Sequence, residues 1–146
     1  MKYKKLYIVI WALIFSSCGK NEDISSSSGD SFLTADLLDK PVLEEVLTRA
    51  ISFEDLNWVA DNIPATLNEL PFTGWIKHQK DATWGVAHLQ NGIEHGPFLF
   101  MHQNGKPKLS GSYLSGLKSG KWKTWEYSGL VTAEETWANG KLVKQD

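Results

Sequence analysis

Gly116-Leu117-Lys118-Ser119-Gly120-Lys121-Trp122-Lys123-Thr124-Trp125 sets two glycines four apart and follows them with a strand-like run. A step of 24 residues upstream, Gly92, Gly96 and Phe98 stand where Gly116, Gly120 and Trp122 stand here, and the same step downstream leads from Gly116 to Gly140. It also joins Gly105 to Gly129, and Leu89 to Tyr113 to Trp137. A period of this length marks stacked supersecondary units, none of which can bury an apolar face alone.

Each unit reads as a β-hairpin. Gly92, Gly105, Gly116, Gly129 and Gly140 are separated by alternating gaps of 13 and 11, so turns fall first at one end of the strands and then at the other. Asn91, Asn104, Ser115, Ser128 and Asn139 precede these glycines, and Asn-Gly or Ser-Gly supplies the positive φ of a tight hairpin turn. The runs between them, such as Lys121 to Tyr127 and Leu130 to Trp137, are rich in aromatic and β-branched residues and carry no helical stripe. A degenerate earlier copy spans Gly74 to Leu89, with a glycine-free turn at Lys80-Asp81-Ala82-Thr83, as expected of a terminal repeat. The expectation is an all-β fold, a repetitive antiparallel meander in one elongated sheet, with a short helical or irregular N-terminal cap.

These residues resemble the bacterial variant of the MORN repeat, whose units are introduced by P-F-T-G and run G-x-W-x-x-aromatic before closing on N-G-K. Pro71-Phe72-Thr73-Gly74, Gly120-Lys121-Trp122-Lys123-Thr124-Trp125 and Trp137-Ala138-Asn139-Gly140-Lys141 carry the likeness, and Gly96-Pro97-Phe98-Leu99-Phe100-Met101 is a looser copy. It covers about Pro71 to Lys144, roughly half the chain. Members of this family are commonly labelled YwqK-like antitoxins of toxin–antitoxin systems, and many look like lipoproteins. The resemblance implies antiparallel hairpins in an elongated sheet, no catalytic residue and no cofactor.

At the other end, Met1 to Lys5 holds three lysines, Leu6 to Phe15 is an uninterrupted apolar run, and Ser16-Ser17-Cys18 follows. This is the layout of a secretory signal, too short for a mature bilayer span. Ser16-Ser17-Cys18 resembles a bacterial lipobox, with Phe15 where leucine is usual, which implies lipidation of Cys18 and attachment to the membrane. Lys20-Asn21-Glu22-Asp23 resembles the charged signals that direct some Bacteroidetes lipoproteins to the cell surface. The expected location is the cell envelope, at the outer membrane, facing the periplasm or the surface. Cys18 is the only cysteine, so no disulfide is available within the chain.

Four segments result: a signal peptide at 1–17, a lipidated cysteine with a Ser-rich tether at 18–31, a capping segment at 32–70, and repeats at 71–146. Thirteen tether residues from Gly19 to Ser31 span roughly 20 Å on average. In the cap, Pro41 to Ala50 suits a short helix, with Asp39 near its start and Leu43, Val46, Leu47 and Ala50 on one face. Leu56, Trp58, Val59 and Ile63 are expected to cover the open edge of the first hairpin. Gly19 to Leu70 has eleven acidic and three basic residues, whereas Pro71 to Asp146 has six acidic and nine basic. That asymmetry either draws the two parts together or prepares the repeats for an acidic partner, and it falls far short of a nucleic-acid stripe.

Chemistry is sparse. His78, His88, His95 and His102 are spaced by ten, seven and seven residues, which matches no short metal motif. No Gly-x-Ser-x-Gly elbow occurs, and the Gly-x-x-x-Gly pairs lack the Gly-Lys-Ser/Thr ending of a phosphate loop. Aromatic residues remain. Most should pack in ladders between hairpins, while Trp125, Trp75 and Tyr127 are the candidate partner-binding residues. Trp122 and Trp125, three apart in one strand, should lie on opposite faces, Trp122 in the packed ladder. The function expected is a membrane-anchored, non-catalytic protein-interaction module, with an antitoxin or immunity protein as one form and a toxin or envelope protein as the partner. The alternatives are an envelope glycan-binding module and a purely structural surface lipoprotein.

Overall fold

The computed structural model describes residues 35–59 and 63–146. Cys18, the signal peptide and the tether lie outside the described residues. One helix, α1 (Lys40–Arg49), precedes two-residue strands β1 (Ile51–Ser52), β2 (Thr66–Leu67) and β3 (Leu70–Pro71). The long strands follow as β4 (Gly74–Lys80), β5 (Thr83–Gln90), β6 (Ile93–Met101), β7 (Pro107–Leu114), β8 (Leu117–Trp125), β9 (Val131–Ala138) and β10 (Lys141–Gln145). β4 to β10 pair in chain order, every neighbour antiparallel, and β1 adds to β4 in parallel. The protein is an all-β hairpin meander with a small helical cap.

The turn chemistry differs at the two ends of the sheet. Asn91, Ser115 and Asn139 take φ of 52°, 50° and 51°, and Gly92, Gly116 and Gly140 follow at 78°, 80° and 73°, the twin positive values of a two-residue hairpin turn. At the opposite end Asp81 takes a φ of 57° in the glycine-free turn, and in the other two turns Gly105 and Gly129 alone turn left-handed, contrary to the expectation for Asn104 and Ser128. There the side chains close the turn instead: Asn104 Oδ1 accepts from Lys106 N–H at 3.1 Å, and Ser128 Oγ accepts from Leu130 N–H at 3.3 Å.

Side-chain alternation splits the sheet into two sides. Trp75, Val86, Leu99 and Met101 share one side and form a core with Val46 and Ala50 of the cap. α1 turns its 3, 4, 7 stripe onto this helix side, burying Val46 to 1% exposure, while Lys40–Glu44 and Arg49–Glu45 pair on its outer surface. Ile76, Ala87 and Leu89 lie on the opposite, aromatic side, under Leu56, Ala65, Phe53, Trp58, Leu67 and Phe72. The edge of β4 is therefore closed by β1, and Leu56 and Trp58 pack on the aromatic side rather than at the edge. Val59 and Ile63 stay exposed, which corrects the expectation that they form the edge cover.

Pro71-Phe72-Thr73-Gly74 ties the cap to the first turn. Phe72 N–H donates to the Ala65 carbonyl at 3.0 Å, Gly92 N–H donates to the Phe72 carbonyl at 2.6 Å, and Asn91 N–H donates to Thr73 Oγ1 at 2.9 Å. The tie recurs along the repeats: Gly116 N–H donates to the Glu94 carbonyl and Gly140 N–H to the Lys118 carbonyl. The ion pairs Lys123–Glu134 and Lys144–Asp146 lie within the repeats as those of α1 lie within the cap, so none of these pairs joins the acidic part to the basic one.

His88 shows how tightly the helix side is packed. Its ring meets Trp75 edge-on at 5.2 Å and its Nδ1–H donates to the His95 carbonyl at 2.8 Å. Burial holds this imidazole below its ordinary value; the carbonyl bond opposes the shift and the His95 charge adds to it. An unfolded chain takes up this proton first, so the contribution is fully present above about pH 6.5 and declines as pH falls through that value. The melting temperature should drop between pH 7.5 and 5.5, and the drop should be smaller for His88→Gln. Parallel curves for the two proteins would show that another group carries the effect.

Candidate functional site

Beyond β5 the aromatic side continues as a ladder. Phe98 on β6, Tyr113 on β7 and Trp122 on β8 meet with centroids 5.0–5.8 Å apart, Phe98 and Trp122 stacked and Tyr113 edge-on to both. Trp122 lies flat on Gly111, where an added Cβ would come within 2.2 Å of the indole, and its Nε1–H donates to the Ser112 carbonyl at 3.2 Å. Trp122 is consequently 1% exposed. Ammonium groups complete the ladder, with Lys118 Nζ 4.4 Å from the Trp122 centroid and 4.5 Å from that of Trp137, and Lys108 Nζ 5.5 Å from Phe100.

The helix side of β7 to β9 is different. Ser110, Ser112, Ser119, Lys121, Lys123 and Thr136 alternate along its middle, with the Lys123–Glu134 pair across β8 and β9, and the Trp125–Val131 and Leu114–Leu117 pairs lie at its two ends. The continuous ring ladder is thus confined to the aromatic side, whereas apolar side chains on the reverse side sit at the strand ends.

The three sequence-predicted residues are not brought together. Trp75 is 5% exposed in the helix-side core, so its expected role at a partner surface is corrected to a packing role. Its position in a sheet covered by non-repeat residues is the reason. Trp125 is half-buried on the helix side of β8, opposite in sense to Trp122 as the period of two requires, and its carbonyl accepts from His102 Nε2–H at 3.0 Å. Tyr127 is 58% exposed at the following turn, its ring 5.5 Å from His102 and its carbonyl held by Asn104 Nδ2–H.

Sequence reasoning missed a groove between the cap and the ladder. The stacked pair Phe53 and Trp58, 4.9 Å apart, forms one wall. Two adjoining cavities of about 410 and 650 Å³ share Phe53, Trp58, Glu94 and Tyr113. The first runs over Ile76, Ala87, Phe98 and Phe100, and the second over Ile93 and Leu117 toward exposed Val59 and Ile63. Burial raises the Tyr113 phenol above its ordinary value and the Glu94 charge raises it further, as expected of a carboxylate close to the ring. His78 stands edge-on to Phe53 at 5.0 Å, and neither its Nδ1 nor Trp58 Nε1 has a hydrogen-bond partner among the described residues.

The remaining histidines are occupied separately, His95 Nδ1 accepting from Ser115 N–H at 3.3 Å. Among the described residues no three His, Cys, Asp or Glu side chains gather in a metal-binding arrangement. No protein-family model, curated protein or solved structure matches the chain.

Proposed function

We propose that this protein is a lipid-anchored, non-catalytic binding module of the MORN-repeat type that receives a protein partner on the aromatic side of its sheet. An antitoxin or immunity protein that covers a toxin is one form of this activity. The observation that carries the reading is the ladder: Phe98, Phe100, Tyr113 and Trp137 remain half-buried where the described cap residues stop, while the middle of the reverse side of β7 to β9 is serine, lysine and threonine. Rings of this kind supply large contact area with little rotamer entropy to lose, which is why they dominate interfaces. Cys18, through its acyl chains, would hold the module at the outer membrane.

Photocrosslinking tests the side used. A benzophenone amino acid placed at Leu109, on the aromatic side, should yield a discrete adduct in cells, and the same residue at Ser110, its neighbour on the reverse side, should not. Equal adducts from both positions would refute a one-sided interface. Anchoring is tested separately: a clickable palmitate analogue should label the wild type and spare Cys18→Ala, and equal labelling of both would exclude Cys18 as the attachment point.

A further inference from the structure

Among the described residues Glu94 is the one acidic side chain in the walls of the groove, and its carboxylate makes no ion pair and accepts no hydrogen bond with them. The rings about it are Phe53, Trp58, Phe98 and Tyr113. A carboxylate in a partly desolvated aromatic setting attracts a cation strongly, because both the charge and the negative ring faces favour it and little water competes. The same side of the sheet already holds ammonium groups over rings, Lys108 over Phe100 and Lys118 over Trp122 and Trp137. Those two lysines are engaged on their own rings. Among the described residues no ammonium group lies over Phe53, Trp58, Phe98 or Tyr113.

We propose that this groove seats a basic side chain of the partner polypeptide, a lysine or arginine whose cation rests between the Phe53–Trp58 pair and Tyr113 and against the Glu94 carboxylate. Apolar partner residues on either side of it lie over Phe100 at one end and over Ile93 and Leu117 at the other. The proposal rests on the binding-module reading and supplies the chemistry of the partner. His78, Tyr113, Ser115 and the Trp58 indole also line the groove, and it is the unpaired charge of Glu94 that favours a basic side chain over a neutral sugar.

An array of immobilised heptapeptides provides the probe, with apolar residues flanking a central arginine, lysine, citrulline or glutamate, incubated with the full-length protein in detergent. Citrulline keeps the shape of arginine and removes its charge. Arginine- and lysine-centred peptides should retain about tenfold more protein than citrulline-centred ones. Glu94→Gln should erase that preference with its melting temperature unchanged, and Glu94→Lys should shift retention toward glutamate-centred peptides. Equal retention on arginine and citrulline, or a preference that survives Glu94→Gln, would overturn the cation site while leaving the binding-module reading intact. Retention on N-acetylglucosamine oligomers and on no peptide would overturn both, and retention on neither probe would also overturn the cation site.

Discussion

Trp122→Ala should destabilise the protein by about 3–5 kcal/mol, the usual cost of removing a fully buried indole. Trp122 touches Phe98, Tyr113, Lys118 and the Gly111 backbone, so its loss opens a cavity shared by three strands and strands a Ser112 carbonyl that it satisfied. For a domain of this size that corresponds to a melting temperature lower by more than about 10 °C. Trp125→Ala should cost less than about half as much, because that ring is half-buried and its backbone carbonyl, which His102 uses, survives the substitution. Gly111→Ala tests the same packing from beneath: the added methyl meets the indole at 2.2 Å and should cost about 1–3 kcal/mol by overpacking. Similar melting temperatures for Trp122→Ala and Trp125→Ala would mean that the ladder is not a structural unit.

The 24-residue step makes the meander legible because both of its causes are local. Asn91-Gly92, Ser115-Gly116 and Asn139-Gly140 encode their own backbone angles, and the opposite sense of Trp122 and Trp125 follows from strand pleating alone. What the cap covers is not local. Trp75 is buried because Val46, at a distance of 29 residues, lands on its side of β4, and no periodicity announces that meeting. The groove is hidden for the same reason. Phe53 and Trp58 come from the non-repeating segment, Glu94 from a strand start and Tyr113 from the next repeat, so their meeting depends on how the cap docks. Bulges add to this: three β6 residues, His95, Gly96 and Pro97, fall between the pairs that flank His88, and a rigid count of two loses the register there. A useful local signal did exist. Glu94 is the sole acidic residue between Asp81 and Glu126, and it stands in a run otherwise given to rings, glycine and lysine.

Gly92→Ala should be far more damaging than Gly105→Ala, although the two glycines adopt nearly the same backbone, with φ of 78° and 77°. Forcing alanine left-handed costs roughly 1–2 kcal/mol at either site, so that part cancels in the comparison. Surroundings decide the rest. At Gly105 an added Cβ meets nothing within 4 Å, whereas at Gly92 it would lie 2.4 Å from the Ala65 carbonyl oxygen, 2.6 Å from the Ala65 nitrogen and 2.8 Å from the Pro64 carbonyl carbon. All three are backbone atoms, and they cannot swing aside as a side chain can. The segment at 64–72 must lift, and with it go the hydrogen bonds from Ala65 N–H to the Gly92 carbonyl and from Gly92 N–H to the Phe72 carbonyl. Ala65, now fully buried, and Leu56 would lose their seat on Leu89 and Ile76. Denaturant unfolding should show a loss of about 1–2 kcal/mol for Gly105→Ala and at least about 3 kcal/mol for Gly92→Ala. Hydrogen exchange locates the damage: the Ala65 and Phe72 amides should exchange faster in Gly92→Ala while those of β8 and β9 keep their protection. The groove wall of Phe53 and Trp58 is joined to the lifted segment by the paired Asn57 and Thr66 backbones, so Gly92→Ala should also lose the retention on arginine-centred peptides that Gly105→Ala preserves. Equal stability losses at the two glycines would show that the cap is not latched to the first turn and that the groove has no fixed wall.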